Sequence, residues 1–236
     1  MILVPHNKDE VTVWRVEVTD DSERVQACLS MLTNEEKLRA ERRRAGLVRN
    51  QFVIARGALR TLLGDALDID PRTVSIVTDE FGKPDTPPVN GRRVFFNVAH
   101  SRSSVLIAMG YRCPLGVDIE YIDQEKDLAD IAESYFTANE SNRISSTADP
   151  EQRARNFYRC WTQKEAVAKA DGRGLSLSLG SFETPIDHAQ NSPVKLGGEF
   201  GKTYYVSDLS LAEGVVGAVA CESQDCRIRV LDLEWL

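Results

Sequence analysis

The stretch PLGVDIEYI, residues 114–122, places two carboxylates, Asp118 and Glu120, inside an otherwise apolar run. Val117 and Ile119 alternate with them, so an extended chain sends both acids to one face and both apolar side chains to the other. Like charges roughly 7 Å apart on one face repel, and burying them without a partner costs several kcal/mol. Either that face is solvated, as one side of an antiparallel sheet commonly is, or something cationic sits between the two acids.

Upstream, VTVWRVEV (11–18) alternates as a half-buried strand does. Thr33 followed by Glu36 forms a capping box opening a helix through about Arg44, and the apolar residues from Phe52 to Leu63 repeat at helical spacing until Gly64. Strands are expected at 74–77, 93–99 and 104–110, the last two joined as a hairpin. Downstream of the strand at 115–122, the pattern predicts helices near 125–136 and over 150–171, then strands near 181–184, 203–208, 215–221 and 227–233. Segments 83–93 and 186–202, rich in Pro, Gly, Asn and Asp, read as loops. Strand, two helices and a set of antiparallel strands thus occur twice. The expectation is an α+β protein of two similar lobes in pseudo-twofold relation, 1–112 and 113–236, each an antiparallel sheet packed with helices, with the site in the cleft between them.

A chain of 236 residues, 42% of them hydrophobic, can bury one sizeable core or two small ones. Its net charge of −7 argues against a general nucleic-acid or anionic-membrane binder, although a local basic patch can still hold a phosphorylated ligand. Without a secretory h-region or an apolar run of bilayer length, the sequence is read as that of a cytoplasmic protein. Five cysteines lack paired C-x-x-C spacing and are read as reduced packing residues; three dispersed histidines do not make a His-based metal centre. Any metal would therefore be a hard, Mg²⁺-like cation on oxygen ligands.

Three further stretches carry chemistry. In FYRCWTQKEAVAKADGRGL (157–175), an amphipathic helix closed by Gly172, Trp161, Glu165 and Lys169 share a face at successive turns. Alone, Glu165 and Lys169 make an ordinary surface ion pair worth a few tenths of a kcal/mol, about 0.3–0.5. FNVAHSRSS (96–104) ends a strand with His100 and Ser101 at a turn, and FGKPDTPP (81–88) holds a Gly-Lys-Pro turn. In the order F-G-K-P, F-N-x-x-H-S, G-V-D-I-E, W-x-x-K-E-A-x-x-K, the chain resembles the 4′-phosphopantetheinyl transferases of the two-lobed, Sfp-like kind, from about residue 35 to residue 185.

That resemblance implies a transferase moving the 4′-phosphopantetheine arm of coenzyme A to a serine of an apo acyl or peptidyl carrier protein, releasing adenosine 3′,5′-bisphosphate. It implies Mg²⁺, or Mn²⁺ in its place, on Asp118, Glu120 and Glu165. Glu165, Lys169 and Asp118 would be catalytic, with Glu165 taking the serine proton directly or through a metal-bound water. Coenzyme A would be held by Lys37, Arg56, Lys83, Pro84, His100, Ser101, Lys164 and Lys169, His100 and the first-lobe bases meeting the 3′-phosphate. Gln51 stands where the family often has a basic residue. The carrier protein would dock at 133–145, with Tyr135 and Phe136 as anchors unless both pack inward. The resemblance also implies a monomer. Two other readings use some of these residues: a Mg²⁺-dependent phosphohydrolase, and a coenzyme A or nucleotide-binding module that keeps Lys83, His100 and the basic helix but has no use for the three acids.

Overall fold

The first strand, β1 (Glu10–Glu17), alternates as expected but is buried on both faces. Trp14 and Val16 pack into one apolar core, Val11 and Val13 into another. This double burial sets the layering in the computed structural model, which describes residues 7–44, 46–124, 128–197 and 201–234. The first core lies under helices α1 (Ser22–Met31), α2 (Asn34–Glu41) and α3 (Leu47–Leu67). The second is a seam between two sheets.

Strands β4 (Phe95–Ser101) and β5 (Ser104–Gly110) form the expected hairpin and extend the first sheet, which β10 (Arg227–Asp232) completes in the order β10-β1-β5-β4. The second sheet comprises β6 (Leu115–Tyr121), β7 (Ser192–Lys195), β8 (Thr203–Asp208) and β9 (Val215–Cys221), in the order β6-β9-β8-β7. Leu115, Val117 and Ile119 of β6 face the seam together with Val219 of β9 and with Leu106 and Ala108 of β5. On its outer face the second sheet carries α6 (Pro150–Asp171), flanked by α4 (Ala129–Tyr135) and α5 (Ala138–Ser145). The class is therefore α+β, antiparallel sheets packed with helices. In each half a leading strand pairs antiparallel with the last strand of a later hairpin: β1 with β5, and β6 with β9.

Several elements differ from the sequence expectation. β10 belongs to the second half in sequence but pairs parallel with β1, with Ile228 and Val230 packed toward the seam and Leu231 toward the helical core. The sequence pattern does not predict α1; its one buried residue, Cys28, packs at Gly57 of α3, where any Cβ would meet the Cys28 Cβ at 2.6 Å. Gly64 does not end α3, which runs on to Leu67, since the gap at Gly64 is filled by Pro71. Of 74–77, only Val77 joins a strand, β2 (Val77–Thr78), paired with β3 (Pro84–Asp85); the Val74 carbonyl instead accepts from Arg60. No strand forms at 181–184, because Thr184 donates its N–H to Glu140 and the Phe182 carbonyl takes the Lys164 ammonium. β7 lies within the segment read as a loop. The helix expected near 125–136 begins at Ala129, and residues 125–127 lie outside the described residues. No helix among the described residues is long and apolar enough to cross a membrane.

The contact that positions the site is between β6 and α6 at Gly116. A Cβ there would stand 2.1 Å from the Ala166 carbonyl oxygen and 2.4 Å from the Ala170 nitrogen, both backbone atoms that cannot rotate away. Gly116→Ala is expected to push α6 off the sheet and lower stability by about 3 kcal/mol, the upper end of ordinary overpacking. An unchanged urea midpoint would show that α6 and β6 do not touch there.

Candidate active site

Because Gly116 brings α6 onto β6, the alternate residue Asp118 points at the helix and meets Lys169. Its Oδ1 accepts from Lys169 Nζ at 2.6 Å, and that ammonium also reaches the Val117 carbonyl at 3.3 Å. Asp118 is 6% exposed, and its Oδ2 is buried without a hydrogen-bond partner. Burial pushes the Asp118 carboxyl up to about 7; Lys169 opposes this, while the carboxylates of Glu165 and Glu120 add to it. A nearly buried Asp118 is thus paired on one oxygen with the half-exposed Lys169 ammonium, left unpaired on the other, and acted on by the charges of Glu165 and Glu120. Glu120, the other acid on this face, accepts from Ser101 Oγ at 2.8 Å.

This donor set fits a hard divalent cation: oxygen ligands, excess negative charge and one unsatisfied carboxylate oxygen. Among the described residues, however, no three acidic, His or Cys side chains already stand gathered as a metal-binding group. Glu120 and Glu165 would have to swing in, Glu120 giving up Ser101.

Glu165 and Lys169 line a cleft of about 760 Å³, together with Lys83, Pro84, Asn97, Tyr135 and Trp161 among others. The sequence reading did not single out Asn97. It is buried on β4, and its Oδ1 accepts the Val117 N–H at 3.0 Å, fixing the residue before Asp118 to the neighbouring sheet edge. Its signal was the one polar residue in the run FFNVA. A separate hollow of about 520 Å³ lies among α4, α5 and α6, lined by Phe136, Ile144, Arg153 and Phe157; it shares no lining residue with the carboxylate cleft.

The basic residues divide into two groups. Lys83 is brought to the cleft, but its ammonium caps α6, donating to the carbonyls of Lys169 (2.5 Å), Ala170 (3.4 Å) and Leu115 (3.3 Å). Burial lowers its pKa, partly offset by Asp79, Asp85 and Asp171. Lys164 is not brought to the cleft. It is fully buried, its ammonium on Glu140 (2.8 Å) and on the carbonyls of Leu179 (2.7 Å) and Phe182 (2.6 Å). The expectation of a phosphate contact from Lys164 is therefore corrected: at its turn of α6 the side chain points into the core, and its donors are taken.

In the first half, Lys37 is half-buried on α2 and Arg56 on α3. Arg56 lies 3.6 Å from Glu36, which is held mainly by Arg60 at 2.6 Å and by the Thr33 capping box. Burial lowers the Arg56 pKa, Glu36 opposes this, and Arg60, Arg39 and Arg43 push it lower, so several guanidinium groups converge there. The Phe52 ring carries Arg43 at 4.5 Å and Arg56 at 5.9 Å. Gln51 donates to the Arg102 carbonyl at 2.8 Å, tying α3 to the turn beside His100 and Ser101. His100 is exposed there. Of the two aromatics at 135–136, Tyr135 is 49% exposed and packs edge-on against Trp161 at 5.7 Å, whereas Phe136 is 5% exposed in the core.

Comparison with known proteins agrees with this arrangement. The sequence model of the 4′-phosphopantetheinyl transferase superfamily matches residues 114–220, the segment holding all three acids, Lys169 and α6. The chain is 34% identical over 215 residues to the 4′-phosphopantetheinyl transferase HetI of Nostoc, covering 90% of this chain and 87% of that protein. It is 32% identical over 146 residues to the 4′-phosphopantetheinyl transferase Sfp of Bacillus subtilis, covering 58% of this chain and 62% of that one. To the 4′-phosphopantetheinyl transferase ffp of Bacillus subtilis it is 34% identical over 170 residues, with 66% and 73% covered. The chain belongs to the 4′-phosphopantetheinyl transferase superfamily, as a transferase of the Sfp-like type.

Proposed function

We propose that this chain transfers the 4′-phosphopantetheine arm of coenzyme A to a serine of an apo acyl or peptidyl carrier protein, with Mg²⁺ or Mn²⁺ required and adenosine 3′,5′-bisphosphate released. The observation that carries this reading is the buried Asp118, paired on Oδ1 with Lys169, unpaired on Oδ2 and acted on by the charges of Glu165 and Glu120. Asp118, Glu120 and Glu165 would hold the metal, which would neutralise charge on the pyrophosphate as its bridging P–O bond breaks and adenosine 3′,5′-bisphosphate leaves.

The remaining steps belong to side chains. Lys169 places a positive charge beside the same phosphates and opposes the burial that raises the Asp118 carboxyl. Glu165, on the open side of α6, accepts the proton of the attacking serine hydroxyl. Asn97 and the glycine at 116 hold β6 where those groups meet. Lys83 stiffens the end of α6, and Pro84 beside it borders the nucleotide. Ser101 holds Glu120, which would leave it to ligate the cation. Tyr135 at the rim of the cleft meets the carrier protein. The protein acts as a cytoplasmic monomer, with its site between the two halves of the chain and no role for nucleic acid or membrane.

The 3′-phosphate of coenzyme A is assigned to Arg56, His100 and Lys37, with Arg43 beside them across Phe52. A charge-assisted hydrogen bond contributes about 1.5–3 kcal/mol, so Arg56→Ala should raise KM for coenzyme A about tenfold or more and leave KM for 3′-dephospho-coenzyme A unchanged. Equal effects on both substrates would place the 3′-phosphate elsewhere. In the same assays adenosine 3′,5′-bisphosphate should form mole for mole with modified carrier and cease with EDTA; release without carrier modification would instead fit a hydrolase.

A further inference from the structure

Cysteines scattered in sequence meet at one place. Cys113 lies in the connection from β5 in the first sheet to β6 in the second. Cys221 ends β9, and Cys226 lies in the return from β9 to β10 in the first sheet. These two crossings run side by side: Cys221 pairs in register with Leu115, and Arg112 bonds Asp225 at 2.8 Å as well as Asp9. All three side chains pack into the seam between the sheets, and the register of Cys221 with Leu115 and the Arg112–Asp225 bond bring Cys113 beside the other two. Cys113 is half-exposed, and the other two are buried.

The environment distinguishes the three. The two neighbouring thiols, with the backbone at Glu222 and Ser223, lower the Cys113 pKa against the desolvation that opposes them, while Cys221 and Cys226 are raised. Cys28 and Cys160, buried elsewhere, are each pushed up to about 12 by desolvation. A half-exposed thiol on one crossing, with two buried thiols on the crossing beside it, has the layout of a reactive cysteine next to resolving ones.

We propose that Cys113 is a peroxide-reactive thiol that closes a reversible disulfide with one of the two thiols on the adjacent crossing, Cys221 or Cys226, stapling together the two chain crossings between the sheets. The oxidant is hydrogen peroxide or an organic hydroperoxide. The Cys113 thiolate attacks the peroxide, the O–O bond breaks, and Cys113 becomes a sulfenic acid as hydroxide or alkoxide leaves. The neighbouring thiol then attacks the Cys113 sulfur, forming the S–S bond and releasing water, its proton leaving with the sulfenic oxygen. Two electrons pass from two thiols to one peroxide, and a dithiol reductant returns the pair by exchange.

The test uses the reduced, folded full chain, treated with a small excess of hydrogen peroxide, blocked with N-ethylmaleimide and digested without reductant. The expected result is a Cys113 peptide linked to the Cys221 or Cys226 peptide, absent after dithiothreitol, with Cys28 and Cys160 carrying the blocking group only after unfolding. Iodoacetamide at neutral pH should label Cys113 at least about tenfold faster than Cys221 or Cys226, as its thiolate fraction dictates. A Cys221–Cys226 link that omits Cys113, irreversible sulfinic acid at Cys113, or no link at all would overturn the proposal. The peptide map reads the native chain, so it stands even if Cys113→Ser fails to fold.

Discussion

A Glu165→Gln enzyme is expected to fold normally and to lose about 10²–10⁴-fold in kcat, the range that general-base catalysis supplies. Gln keeps the size of the side chain and its place on α6 one turn before Lys169, but it neither accepts a proton nor brings negative charge to a cation. Glu165 is half-exposed at the cleft, so the substitution leaves no buried group unpaired and the urea midpoint should stay within about 0.5 kcal/mol of the parent, as at other partly exposed positions. Steady-state kinetics with saturating coenzyme A would check this. A Glu165→Gln variant within about threefold of the parent rate would remove Glu165 as both base and metal ligand.

Lys164→Ala is expected to act oppositely: a stability loss of about 3–5 kcal/mol, the cost of breaking one partner out of a buried ion pair. Glu140 is itself 1% exposed, and besides Lys164 it closes the Thr137 capping box and accepts from Thr184. Removing the ammonium leaves Glu140 charged in the core and orphans the carbonyls of Leu179 and Phe182, and it empties the contact over the Phe182 ring at 4.6 Å. The 3₁₀ turn at Leu179–Ser181, which borders the cleft, would loosen with it. Urea unfolding reads the loss. A raised KM for coenzyme A with an unchanged unfolding midpoint would return Lys164 to the phosphates.

The contrast between Glu165 and its neighbour Lys164 shows where sequence reading succeeds and where it stops. Period-two and period-3.6 patterns were enough to put Asp118 and Glu120 on one strand face and Glu165 and Lys169 on one helix face, and the structure brings Asp118 onto Lys169. Helical spacing does not say how the helix is rotated against a particular sheet. Lys164 precedes Glu165 by one residue, about 100° around the axis, and that rotation carries it into the core. Lys83 was legible as a turn residue near the site, but its bonds to three carbonyls depend on where α6 ends in space. Asn97 and Gly116 act through the approach of β4 and α6 to β6, long-range contacts that no local pattern records. β10 was legible as a strand, yet its partner was not, because an edge of β1 open to a parallel neighbour leaves no mark in the sequence near residue 230. The thiols at 113, 221 and 226 were dispersed for the same reason.

The intact mass of an apo carrier protein after incubation with this enzyme, coenzyme A and Mg²⁺ tests the central claim most directly, run beside the Asp118→Asn variant and an EDTA control. The account predicts that the carrier gains the mass of one phosphopantetheine arm at a serine, and that both controls abolish the gain. A gain that persists in EDTA and with Asp118→Asn would contradict the carboxylate site. Carriers of several classes left unmodified while the folded enzyme still binds coenzyme A would contradict the transferase itself.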